Sequence, residues 1–213
     1  MINFDEMQNS IEEYLNKKYS DKFAFYRRLG GTFASDKLEC EFTSSLYPYV
    51  KVWGAMYYEG RFVDNYPYIK YAKQLNASTD SILSKYIESN LYFFEKDMNY
   101  PKSWVPDFND MTSYGEFASM NNTLIHMNAY VDSEVLERED VIDRLENIIA
   151  DSKVKYRYIS IYYIDNYITE DLSEYNYRNQ LIYNRKYRRQ LKGKWSDDNS
   201  GYIWEWTGVD VNG

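Results

Sequence analysis

Few residues of this chain could carry out chemistry, and their sequence neighbours restrict what each can do. His126 is the sole imidazole, and so the one histidine available for acid–base work near neutral pH. It alternates with Ile125, Met127, Ala129 and Val131, so a strand here turns His126 and Asn128 to the face opposite that apolar set. A catalytic histidine also needs a nucleophile and an orienting acid, and neither adjoins it in sequence. The expectation for His126 is therefore a surface or contact role.

Cys40 is the sole cysteine and lies between Leu38 and Phe42 on an alternating pattern, which reads as a buried thiol acting as a small hydrophobe. Its neighbours Glu39 and Glu41 would raise its pKa, the opposite of what a nucleophilic thiolate needs. Those glutamates share one strand face with Cα atoms roughly 6.5–7 Å apart. Such a pair could serve glycoside hydrolysis or an oxygen-ligated cation. Solvated acids on an exposed face are the commoner outcome, so a carboxylate-based hydrolase is the least favoured reading.

Gly30-Gly31-Thr32 has neither the lysine of a phosphate loop nor the spacing of a dinucleotide fingerprint, and reads as a turn or bulge. Asn76-Ala77-Ser78 and Asn121-Asn122-Thr123 match the glycosylation sequon, which matters only in a glycosylating host. One cysteine and one histidine exclude an internal disulfide and the Cys₂ or His₂ metal centres. No cofactor, metal or catalytic residue is expected.

The elements that must hold these residues follow from periodicity. Phe4, Met7, Ile11 and Leu15 predict a helix over about 4–19. Strands are expected at 23–29, around Leu38 to Thr43, and from Val50 to about Tyr57, with a turn at Glu59-Gly60. After Asp64-Asn65-Tyr66-Pro67 a second helix runs to about Ile87, with Pro67 in its first turn. Residues 91–96 read as a strand and Tyr100–Gly115 as a long surface loop. The second half predicts a strand at Leu124–Val131, a helix over about 136–150 and a strong strand at Val154–Ile164. A terminal pair of strands is expected at about 180–192 and 201–207, joined by a polar turn. The pattern is α+β: helices on a mostly antiparallel sheet, with an α-β-β-β-α unit, then β-α-β, then a hairpin. It is expected to form a single domain over 1–213, with sub-units near 1–90 and 91–213.

The chain has 213 residues, 44% of them hydrophobic and 27% charged, a globular composition that rules out wholesale disorder. Its net charge of −8 is unevenly placed. Residues 1–177 hold 18 basic and 29 acidic residues, 178–194 hold seven basic and no acidic ones, and the last nineteen carry four acids. An acidic body repels phosphate backbones and attracts basic proteins, so nucleic acid is not an expected partner. The basic run reads as a solvated strand-and-turn face. The 25 tyrosines against 10 phenylalanines fit either an AT-rich coding bias or a contact surface. No basic leader or apolar signal core opens the chain.

A helix, three strands and then Arg61-Phe62-Val63-Asp64-Asn65-Tyr66 leading into a helix resembles small extracytoplasmic, lipoprotein-type domains of Gram-positive bacteria over residues 4–87. In size and acidity the chain is also similar to TipC-like immunity proteins of polymorphic toxins. These resemblances imply an extracytoplasmic protein held at the membrane by an anchor outside this chain, with a cytoplasmic placement as the alternative. They also imply function by occlusion: an acidic, aromatic surface covers a cognate toxin with a basic surface. The leading expectation is thus a non-enzymatic protein-binding protein. The partner-binding residues would be Trp104, Asp107, Asp110 and Tyr114 in the loop, with His126 and Asn128 on the neighbouring strand face. The alternative is a cell-surface module that binds glycan or envelope components by aromatic stacking.

Overall fold

The structure is a computed structural model that describes residues 3–30, 36–87, 92–94, 108–120, 125–132, 145–147, 149, 154–164, 189–196, 198 and 201–208. Its contacts divide it into two compact units, Met1–Lys73 with Asn99–Thr123, and Gln74–Met98 with Leu124–Gly213. The architecture is α+β, with one mostly or wholly antiparallel sheet in each unit.

The first unit opens with α1, Phe4–Lys18. Asn3 caps it by accepting from the amides of Asp5 and Glu6, while Lys17 and Lys18 close its last turn, a charge order that suits the helix dipole. Met7, Ile11 and Leu15 are its buried stripe. The strands β1 (Phe23–Gly30), β2 (Lys37–Ser44), β3 (Lys51–Tyr57) and β4 (Phe62–Asp64) form an antiparallel sheet in that order. Leu38, Cys40 and Phe42 are fully buried on β2, as alternation predicts. Gly54 of β3 lets α1 approach closely: a Cβ there would lie 2.8 Å from the Ile11 side chain. The sequence reading had three strands in this unit; β4 is a fourth, three residues long, and too short to show a period of two.

The helix α2, Tyr66–Tyr86, carries Pro67 in its first turn, and its residues from Gln74 onward belong to the second unit. A short helix, α3, spans Tyr114–Ser119 where the sequence suggested loop and connection. Ser113 and Glu116 form a capping box that starts it.

The second unit is a sheet of β5 (Tyr92–Phe94), β6 (Ile125–Asp132), β7 (Tyr156–Ile164), β8 (Arg189–Trp195) and β9 (Tyr202–Gly208), in that order. Among the described strands only β6 and β7 run parallel, a pairing that needs a crossover connection between them. Residues 145–147 and 149 are helical within that connection, and its segment 133–144 lies outside the described residues. Ile125, Met127, Ala129 and Val131 on β6 and Ile159, Ile161 and Tyr163 on β7 are buried. The β8–β9 hairpin is present, but β8 runs to Trp195, beyond the expected strand end at about 192.

Part of the tyrosine content is interior: among the described residues Tyr19, Tyr66, Tyr68, Tyr71, Tyr130, Tyr156 and Tyr163 are buried. Tyr66, Tyr68, Tyr130, Tyr156 and Tyr163 are among the largest fully buried side chains. Their hydroxyls need partners there. Tyr19 donates to Asp64 at 2.8 Å, Tyr71 donates to the Thr112 carbonyl, and Tyr156 shares a 3.0 Å hydrogen bond with Thr79. In the first unit the rings of Tyr19, Phe23, Tyr66, Tyr71, Phe108 and Phe117 form a chain of aromatic contacts. Coding bias and contact surface were the two readings of this composition; the fold adds a structural use.

Candidate functional site

The expected contact residues fall in three places. Trp104 and Asp107 lie outside the described residues. Asp110 and Tyr114 belong to the first unit, and His126 and Asn128 to the second.

Asp110 sits in the turn that precedes α3, and its carboxylate is occupied. Oδ2 accepts from the Ser20 amide at 2.9 Å and from the Ser20 hydroxyl, while Oδ1 accepts from Lys70 Nζ at 3.1 Å. The Ser20 hydroxyl bond, with Lys70 beside it, holds this carboxyl below its ordinary pKa despite partial burial. Lys70 also donates to the Asp110 carbonyl at 2.8 Å. Asp110 is therefore a brace that fixes its turn against α2. Tyr114 is half-buried, with its ring 5.7 Å from that of Tyr71.

A second carboxylate braces the neighbouring turn. Asp21 is buried and accepts from the Ser45 hydroxyl at 2.7 Å, from the amides of Ser45 and Leu46 at 3.1 Å each, and from the Ser44 hydroxyl. Burial raises its pKa, but these hydrogen bonds outweigh burial and hold it below the usual range. Between the two braces, Tyr47 reaches the Lys70 carbonyl at 3.5 Å and packs against Tyr66 at 5.9 Å.

These two turns carry apolar side chains into solvent. Leu46 is 63% exposed, Tyr49 99% and Met111 90%. All three stand on turns that buried or part-buried carboxylates tie down. Asp110 was legible as part of this loop, whereas Tyr49, Leu46 and Met111 were not. The surrounding Ser44-Ser45 and Asn109-Asp110 turn-formers mark turns, but nothing in them says which apolar neighbour stays outside.

In the second unit His126 is exposed and meets Tyr158 edge-on at 5.0 Å. Although the residue reaches solvent, its ring is partly desolvated by its surroundings, which lowers its pKa. Register sets His126, Tyr158, Lys194 and Ile203 in one row across the open face, and Asn128, Ser160, Lys192 and Glu205 in the next. His126 and Asn128 thus share a polar sheet face with two lysines of the basic run. A cleft of about 320 Å³ also opens in this unit between Glu146, Ile149, Val154, Lys155, Trp195 and Tyr202.

The thiol and the glutamate pair of β2 are respectively buried and paired. Cys40 is buried, and burial pushes its thiol up to about 11. Glu39 pairs with Lys37 at 2.7 Å and accepts from the Trp53 indole at 3.1 Å. Glu41 accepts from Arg27 at 2.6 Å. Both carboxylates are held by their own sheet, on the face where Trp53, Ala55 and Val63 make a small core.

A buried polar node that sequence did not reveal lies on the α1 side of the first sheet. Asp64 accepts from Tyr14 at 3.0 Å, Lys18 at 3.0 Å, Tyr19 at 2.8 Å and the Tyr66 amide at 3.1 Å. Burial first, and then the Asp64 charge, raise the phenol pKa of both Tyr14 and Tyr19, which makes them donors and not bases. This node joins helix to sheet.

Comparison with protein-family models, with curated proteins and with solved structures finds no match to this chain.

Proposed function

We propose that this chain is a non-enzymatic binding protein that captures a protein partner, and in its most specific form an immunity protein that occludes a cognate bacterial toxin. The observation that supports this reading is the braced turn pair of the first unit, which holds Leu46, Tyr49 and Met111 in solvent. Apolar anchors on rigid turns lose little conformational freedom on binding. The net charge of −8 favours capture of a basic partner. Trp104, Asp107 and Tyr114 remain candidate contacts in this proposal, with Asp110 positioning the turn. An extracytoplasmic, tethered setting belongs to the same proposal.

The cleft walled by Trp195 and Tyr202 favours a second reading, in which a small glycan or envelope component stacks in the second unit. Affinity capture from the native organism, washed at low and at high salt and read by mass spectrometry, separates the two. A stoichiometric protein whose toxicity this chain abolishes supports the immunity reading. Recovery of cell-wall glycan without protein defeats it and supports the second.

A further inference from the structure

Among the described strands the two sheets have four outer ones, and three are poor templates for pairing. β4 and β5 are three residues long, while β1 is broken by two register shifts and carries Arg27 and Arg28. Short, bulged and charged strands are the usual protections of a sheet edge. β9 is neither short nor bulged: it pairs with β8 in unbroken register over seven residues, and Glu205 is its sole charged side chain.

The hairpin geometry shows which β9 groups face outward. The Ser196 amide donates to the Gly201 carbonyl at 2.9 Å, in the same register as the ladder that follows. Hydrogen-bonded and non-hydrogen-bonded pairs alternate along an antiparallel ladder. Ile203, Glu205 and Thr207 therefore bond to β8, while Trp204 and Trp206 turn their backbone N–H and C=O to the outer edge. Among the described residues no backbone partner meets those outward groups. Ile203 is 63% and Trp206 39% exposed, on opposite faces of the strand.

We propose that β9 accepts an extended segment of a partner protein as an added antiparallel strand. The segment places a basic residue opposite Glu205 and apolar residues opposite Trp204 and Trp206. Charge argues against a second copy of this chain. Each copy carries −8, and self-pairing centred on Glu205 would set two carboxylates directly opposite each other, which is destabilising. Strand addition takes affinity from the backbone and specificity from alternate side chains. This inference does not depend on the turn pair of the first unit.

The test uses the full chain and three capped peptides: Thr-Val-Lys-Val-Thr, the same peptide N-methylated at both valines, and the same peptide N-methylated at lysine. In the proposed register the valine amides bond to β9 and the lysine amide points away. The unmodified peptide should protect the Trp204 and Trp206 amides from hydrogen exchange. Valine methylation should weaken binding at least about tenfold and lysine methylation should not. Glu205→Gln, which sets no like charge opposite Lys192, should weaken the lysine peptide by about two- to fivefold and leave the fold intact. Equal binding of the valine-methylated peptide, or no protection by the unmodified one, would overturn the proposal. So would a free chain that sediments as a dimer with those two amides already protected, since the edge would then be filled by a second copy.

Discussion

Lys18 donates to Oδ2 of Asp64 at 3.0 Å, across 46 residues of sequence, and the carboxylate it meets is 1% exposed. The pair joins the last turn of α1 to the short strand β4, and the hydroxyls of Tyr14 and Tyr19 and the Tyr66 amide also donate to the carboxylate. Removing one member of a buried pair leaves the others desolvated and unpaired. Asp64→Ala is expected to destabilise the first unit by about 3–5 kcal/mol, read as a fall in the urea midpoint at unchanged slope. Unchanged midpoints would show that the node is solvated.

The exposed turn residues should behave in the opposite way. Tyr49→Ser and Met111→Ser are expected to leave unfolding free energy within about 0.5 kcal/mol of the parent. Each should still weaken a captured protein partner by about 2 kcal/mol, roughly thirtyfold in Kd. Titration calorimetry with that partner checks the second half and chemical denaturation the first.

Acid should loosen the same turns. Asp21 and Asp110 have folded pKa values below their ordinary ones, so the unfolded chain binds protons first as pH falls. Their stabilisation is complete above the usual aspartate range near 3.9 and is lost as pH falls through the folded values. A pH series of thermal unfolding should show this loss, and Asp21→Asn should flatten it. An acid limb as steep in that variant as in the parent would place the titration elsewhere.

Cys40 should resist alkylation. With its thiol buried and pushed up to about 11, little thiolate exists near neutrality. Iodoacetamide is expected to label the native chain far more slowly than the chain in denaturant, as measured by intact mass against time. Comparable rates would mean that the strand opens readily.

Gly193 tests the packing of the β8–β9 hairpin. A Cβ at this position would lie 2.5 Å from the Trp204 indole, a separation that forces the ring or the strand to move. Gly193→Ala is expected to cost about 1–3 kcal/mol, accompanied by a shift in tryptophan emission. The open position Gly115, where nothing lies within 4 Å, is the control.

The extent of α1 and α2, the alternation of β2 and β6 and the β-α-β order of the second half were legible because each rests on a period that local sequence carries. The inward set Ile125, Met127, Ala129 and Val131 and the outward pair His126 and Asn128 follow from a single strand's geometry. The short strand β4 and helix α3 were not legible. Three residues hold no period, and a capping box of Ser113 and Glu116 starts a helix in a stretch that otherwise reads as loop.

The sequence by itself determined the α+β class, the acidic balance and the burial of Cys40, since composition and alternation are local properties. Tertiary structure alone decided what the polar groups do. Asp64, Asp21 and Asp110 resemble surface acids in sequence, yet each is bound by donors 20 to 90 residues away. Tyr49 and Met111 resemble core residues, yet they stand in solvent. A side chain's role depends on which distant groups share its surroundings once water is excluded, and no local pattern records those distant neighbours.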